Sequence, residues 1–151
     1  MDINNIDTTT LKTIASMIDD SSIAIRKMGK DGRQYVLNIT LKKRDRGLID
    51  YLHGLFGGGV YKEKMRKGGD SYRFLWKIYA NKAQSVLLLV LPYLVKNKRQ
   101  AELGLDFQDI TSHQKKGQKL SDKDIEIRQE YMETIKSLNM LKSRSVSQYS
   151  K

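Results

Sequence analysis

Ile14-Ala15-Ser16-Met17-Ile18-Asp19-Asp20-Ser21-Ser22, followed at once by Ile23-Ala24-Ile25, is the stretch on which the reading of this chain turns. Leu11, Ile14, Ala15 and Ile18 recur at the spacing of one helical face, and Thr8 or Thr9 is placed to cap the helix start. The helix ends on two adjacent carboxylates, Asp19 and Asp20. The helix dipole is negative at that end and disfavours each acid there by up to about 1 kcal/mol. Two explanations stand at this point. The acids solvate a helix end and help the turn, or they are kept for an ion, with Mg²⁺ the natural partner for such oxygens.

The whole chain narrows the choice. Its 151 residues suit one domain with a core of its own. It has no cysteine, which rules out disulfides and a thiolate zinc site. The two histidines, His53 and His113, are far apart in sequence and offer neither a histidine cluster nor an obvious triad. The formal charge is +11, from 28 basic and 17 acidic residues. A small domain this basic usually meets phosphate or an anionic surface. The start, Met1-Asp2-Ile3-Asn4-Asn5, is polar, so no secretion signal is expected. The apolar run at residues 86–91 is far short of the ~20 residues of a membrane span. The chain is therefore expected to be soluble and to have no membrane partner.

Outward from the opening stretch, residues 22–26 read as a strand, and Lys30-Asp31-Gly32 as a hairpin turn, because Asp-Gly supplies positive φ. Residues 34–43 alternate: Tyr35, Leu37, Ile39 and Leu41 point one way, and Gln34, Val36, Asn38, Thr40 and Lys42 the other. The second set suits base edges or plain solvent. Asp45 caps a helix whose stripe is Leu48, Leu52, Leu55 and Phe56, and Gly57-Gly58-Gly59 ends it. No Lys-Ser/Thr follows the glycines, so they are a helix stop and not a phosphate loop.

A second hairpin spans residues 60–67 and 71–79 around Lys67-Gly68-Gly69-Asp70. Lys62, Lys64 and Arg66 share one face of its first arm. On the second arm Arg73, Leu75, Lys77 and Tyr79 oppose Tyr72, Phe74, Trp76 and Ile78, which makes Trp76 a core residue. Alternate cations on neighbouring strands build a positive sheet face suited to phosphates, though Lys also guards solvated strand edges. A third helix, capped by Asn81, spans residues 82–95 with a break at Pro92, and helix continues over 96–110. Residues 111–120 read as a polar loop. Ser121-Asp122-Lys123-Asp124 approximates a capping box for a last helix, about 121–141, with Ile127, Tyr131, Ile135 and Leu138 on one face. Residues 142–151 read as a basic mobile tail after a single domain of residues 1–141. The fold class is α+β: two αββ halves, a four-stranded antiparallel sheet, and all helices on one face. Lys, Arg, Asn, Thr and Gln collect on the other.

At this point the chain resembles the LAGLIDADG homing endonucleases. Residues 14–19, Ile-Ala-Ser-Met-Ile-Asp, look like the first two-thirds of the motif for which the family is named. The likeness continues through Phe56-Gly57-Gly58-Gly59-Val60-Tyr61 and Trp76-Lys77-Ile78. Its most specific part is Leu91-Pro92-Tyr93-Leu94-Val95-Lys96-Asn97-Lys98-Arg99-Gln100-Ala101. It covers roughly residues 10–110.

The resemblance implies an αββαββα saddle on duplex DNA. It also implies pairing of single-motif chains through their motif helices, here Leu11, Ile14, Ala15, Ser16 and Ile18, into a homodimer. An acid near each motif-helix end would bind Mg²⁺ or Mn²⁺ for cutting. The family ending is acid, small residue, acid, glycine, whereas this chain reads Asp19-Asp20-Ser21-Ser22. A one-residue deletion makes Asp20 the metal ligand, with Asp19 as the other catalytic candidate, and restores the strand that follows. Arg26, Gln34, Asn38, Thr40, Lys42, Lys62, Lys64, Arg66, Arg73 and Lys77 are then the expected nucleic-acid face. The implied function is a site-specific, double-strand DNA endonuclease of the intron-encoded type, from an organelle (chloroplast or mitochondrion), a bacterium or a phage. The alternative is a catalytically inactive nucleic-acid-binding protein on the same fold, such as an intron-splicing maturase or a ribonucleoprotein component, with RNA as its partner.

Overall fold

Helix α1, Thr8–Asp19, leads directly into the hairpin of β1, Ser22–Met28, and β2, Gln34–Lys43. A second helix, α2, Arg46–Phe56, leads in the same way into β3, Gly59–Lys64, and β4, Tyr72–Tyr79. Then come α3, Ala80–Val90, a 3-10 turn over Leu91–Tyr93, α4, Lys98–Ser112, and α5, Asp122–Tyr149. This is a computed structural model, and it describes residues 5–65, 71–114 and 119–149. All strand pairs are antiparallel, in the order β1-β2-β4-β3, so the two αββ halves meet along β2 and β4. Among the described residues no helix is long and apolar enough to cross a membrane.

Alternation decides which face of the sheet is buried. Ile23, Ile25, Leu37, Ile39, Leu41, Trp76 and Ile78 all lie on one side and are buried under the helices. The helices meet them with Ile14, Ala15 and Ile18 from α1, Ile49 and Leu52 from α2, Val86 and Leu87 from α3, Phe107 from α4, and Ile135 from α5. Trp76 is fully buried, as its apolar face predicts, and its indole Nε1–H donates to the Gly57 carbonyl at 2.8 Å. A buried indole N–H needs such a partner, and the end of α2 provides it.

Several local expectations change. Asp7, not Thr8 or Thr9, caps α1: its carboxylate accepts from the Thr10 amide at 2.7 Å. Asp45 caps α2 as expected, but Ile49 rather than Leu48 takes the inward position, and Leu48 is exposed. Asn81 does not cap α3. Its side-chain oxygen instead accepts from Gln108 Nε2 at 2.9 Å, tying α3 to α4. Helix α3 stops at Val90, where Pro92 forces the tighter 3-10 turn. Ser121 and Asp124 do form a reciprocal capping box, with bonds of 3.1 and 3.2 Å. Helix α5 runs on to Tyr149, so most of the expected mobile tail, residues 142–151, is helical. The expected turn at residues 67–70 lies outside the described residues.

Gly58 sits where β3 begins, with φ at +88°, and a Cβ there would fall 2.6 Å from the Lys77 carbonyl oxygen. That oxygen belongs to the neighbouring strand and cannot step aside. Gly58→Ala is expected to lower stability by more than about 2 kcal/mol. Gly54, inside α2 with open space around it, is the control. Gly54→Ala should raise stability by roughly 0.5–1 kcal/mol through helix propensity. Urea unfolding of the two variants checks both signs.

Candidate nucleic-acid interface

The two aspartates at the end of α1 have different surroundings. Asp19 is buried at 9% exposure. Its carboxylate accepts from the Val95 amide at 3.0 and 3.3 Å and from the Asn97 amide at 2.9 Å. Asn97, fully buried, reaches back: its Nδ2 donates to the carbonyls of Ile18 at 2.7 Å and Ser21 at 2.9 Å. Lys142 of α5 closes the cluster by donating from Nζ to the Ser21 carbonyl at 2.9 Å and to Asn97 Oδ1 at 3.0 Å. Burial pushes the Lys142 ammonium below its ordinary pKa, and the nearby charges of Asp19 and Asp20 pull it back up. Neither Asn97 nor Lys142 stood out as a site residue in sequence, because each acts on residues far away along the chain.

Asp20 is different. Its side chain is 53% exposed, and Lys43 Nζ stands 3.6 Å from Oδ2. Asp20 therefore has a carboxylate able to meet a ligand, whereas Asp19 has spent its own on the 95–97 backbone. Among the described residues no group of three or more His, Cys, Asp or Glu gathers to hold a metal. A metal at Asp20 needs oxygens from elsewhere. Mg²⁺ suits that arrangement, because it is commonly held by one or two carboxylates with water and substrate phosphates.

Cross-strand pairing sorts the remaining candidates. Thr40 pairs with Lys77 and Ser22, Asn38 with Tyr79 and Ala24, and Lys42 with Leu75. Directly opposed residues share a face, so Arg26, Gln34, Asn38, Thr40, Lys42, Arg73 and Lys77 all lie on the side away from the helices. They differ in reach. Asn38 and Thr40 are buried. With its amide turned to satisfy both ends, Asn38 donates to the Ala24 carbonyl at 3.3 Å and accepts from Arg26 Nε at 3.3 Å and Thr40 Oγ1 at 3.0 Å. These two residues form the floor of the face and hold Arg26. The exposed groups above them are Arg26, Gln34 and Lys42, with Arg73 and Lys77 half-exposed.

Two expected members are on the wrong side. Lys62 pairs with Phe74 and Lys64 with Tyr72, which puts both on the helix side of the edge strand. Lys62 Nζ lies 4.3 Å from the centre of the Tyr72 ring. In their place β3 presents Tyr61 and Glu63, opposite Leu75 and Arg73. Strand β3 lacks the apolar alternation that fixes a face in sequence, so only the pairing register reveals this. Arg66 lies outside the described residues. The expected interface on α1 also divides: Ile14, Ala15 and Ile18 are sealed in the chain's own core, leaving Leu11 half-buried and Ser16 exposed.

No family model matches the chain, and no curated protein matches it by sequence. Solved structures do match, and they are LAGLIDADG homing endonucleases. One is I-CvuI in complex with its target in the presence of calcium, at 17% identity, covering 84% of this chain and 94% of that one, with a TM-score of 0.55. The homing endonuclease I-TnaI is 16% identical over 87% of this chain and 97% of its own, with a TM-score of 0.54. The archaeal, intron-encoded I-Vdi141I, complexed with DNA, is 12% identical over 87% and 98%, with a TM-score of 0.50. At these identities the likeness is one of fold. The chain has the α+β homing-endonuclease fold that residues 14–19 and 91–101 led us to expect.

The two aspartates should separate in a stability measurement. Asp19→Ala strands two backbone amides that now meet a carboxylate, at an expected cost of about 2–4 kcal/mol. Asp20→Asn removes only an exposed ion pair and should shift stability by less than about 0.5 kcal/mol. Denaturant midpoints of both variants at neutral pH provide the check.

Proposed function

We propose that this protein is a site-specific double-strand DNA endonuclease of the intron-homing type, acting as a homodimer with a divalent metal at Asp20. One observation carries the reading: a basic, helix-free sheet face has an accessible carboxylate, Asp20, two residues before its first strand, while the neighbouring Asp19 serves structure. The exposed face suits the major groove, which admits β-structure and displays a distinct pattern for each base pair. Arg26, Lys42 and Lys77 meet phosphates and make binding depend on salt. Gln34 and Arg73 are the side chains with both the reach and the donor pattern for base edges.

Asp20 would hold a divalent ion with one carboxylate per chain. Bound there, the ion would supply an activated water and charge stabilisation for the leaving oxygen. Asn97 and Lys142 keep the Ser21 carbonyl, and with it the turn that carries Asp20, in one position. Lys43, with Nζ 3.6 Å from Asp20 Oδ2, would place a cation beside a phosphate bound there. A second copy, docked on the exposed side of α1 at Thr9, Thr13 and Ser16 with Leu11 beside them, brings a second Asp20 for the second strand. Two-fold pairing of this kind implies a near-palindromic target.

A second reading has its own support. Asp20 is already ion-paired with Lys43, and the turn holds no further free carboxylate. The same face on a catalytically inactive chain suits nucleic-acid binding in splicing or in a ribonucleoprotein particle.

A randomised duplex library incubated with Mg²⁺ or Mn²⁺ tests the two readings. We expect one near-palindromic site to be cut by the wild type, and Asp20→Asn to lose cutting while keeping its fold and its salt-dependent binding. Retention of duplex or structured RNA without any cutting, under either metal, sinks the endonuclease and leaves the inactive binder. Sedimentation at working concentration, with and without DNA, should show a dimer.

A further inference from the structure

Arg73 and Glu63 stand directly opposite one another on β4 and β3, on the open face of the sheet. A single carboxylate oxygen, Glu63 Oε1, accepts from Arg73 Nε at 2.9 Å and also from Arg73 Nη2. Those two nitrogens form the side edge of the guanidinium. Arginine has five N–H donors in a fixed fork, so this grip leaves the outer edge, Nη1 with the second hydrogen of Nη2, free. Both side chains are only partly exposed, at 30% for Arg73 and 39% for Glu63. The fork is therefore held in one orientation on a wall of the face and does not wander in solvent.

A surface acid on a cationic face needs a reason. Glu63 does not neutralise the patch, because Lys42 and Lys77 lie close enough to act on it along with Arg73. Its carboxyl is held below its ordinary pKa, chiefly by the hydrogen bond from Arg73. A carboxylate that holds the side edge of an arginine lowers the ordering cost of using the outer edge.

We infer that Arg73, pre-positioned by Glu63, is a specificity-determining residue that reads a guanine in the major groove through its outer edge. The chemistry selects that base. Guanine offers two acceptors, O6 and N7, at the separation of the arginine fork, whereas adenine sets a donor beside its N7 and thymine sets a methyl beside its O4. In a two-fold assembly the guanine recurs at the symmetric position of the other half-site. This inference rests on the proposed binding of duplex DNA by the open face.

The test is selection from a randomised duplex library in EDTA, which allows binding without cutting, followed by affinity measurements over a salt series. The wild type should fix guanine at one position per half-site. Arg73→Lys keeps the charge and loses the fork. It should lose about tenfold or more of the discrimination at that position, with its salt dependence unchanged. Glu63→Ala should bind all duplexes somewhat more tightly, because an acid is gone, yet discriminate guanine several-fold less. A pair that merely staples β3 to β4 would not couple higher affinity to lower selectivity. If both variants bind with every positional preference intact, the inference falls and the DNA-binding reading stands. If the wild type shows no salt-dependent affinity for any duplex, the reading itself fails and takes the inference with it.

Discussion

The bonds between Asp19, Asn97 and the backbone they share hold the turn between α1 and β1. A carboxylate at a helix C-terminus faces the negative end of the dipole, and a buried one loses its hydration as well. Asp19 offsets both costs with the amides of Val95 and Asn97. Asn97 answers with its own side-chain amide on the carbonyls of Ile18 and Ser21. Bonds to a charged group are among the stronger ones, roughly 1.5–3 kcal/mol each. Through them the end of α1, the start of β1 and the entry to α4 become one rigid junction, and Lys142 adds α5 to it. Asp20 gains its fixed place from this junction without joining it. The two adjacent acids that look redundant in sequence thus divide into one that builds the turn and one that the turn presents.

The open face of the sheet shows a similar division between groups that hold and groups that reach. Asn38 and Thr40 are polar and face away from the helices, yet they are buried and bonded to each other, and Asn38 also accepts from Arg26. A row of hydrogen-bonding residues on a strand is therefore not in itself a row of base readers. The longer side chains beside them carry the charge outward. Gly59 contributes by omission, since a Cβ there would lie 2.6 Å from the Tyr61 hydroxyl. Without it the Tyr61 ring lies back along β3, with Lys77 Nζ 5.6 Å from its centre. An aromatic ring that supports a lysine holds the cation in place while leaving it charged.

How much of this was legible from sequence depended on whether the deciding interactions were local. The β2 strand was readable because its apolar residues occupy every second position from Tyr35 to Leu41, and a one-residue slip would expose all of them. The burial of Trp76 followed for the same reason. The capping box at Ser121 was readable because it closes within four residues. Strand β3 was not, because only Val60 marks its inner side, and Lys62 and Lys64 went to the wrong face with it. The apolar stripe on α1 was readable as a stripe but not by destination. Ile14, Ala15 and Ile18 are equally suited to a second copy and to the chain's own core, and the sheet claims them. The roles of Asn97 and Lys142 depend on contacts spanning most of the chain, which no window of sequence contains.

Net charge occupies the middle ground. A formal +11 suits an anionic partner, but it is a sum over both faces and does not say which cations share the open one. The register supplies that answer, and it does so by geometry alone. Arg73 and Lys77 share a side because they are an even number of residues apart on one strand, and Lys42 and Arg26 join them through the pairing of β2 with β4 and β1. Lys62 and Lys64 contribute to the same sum from the far side. Charge thus sets only a total, and the hydrophobic alternation of the sheet, which carries no charge at all, decides which cations stand together on the open face.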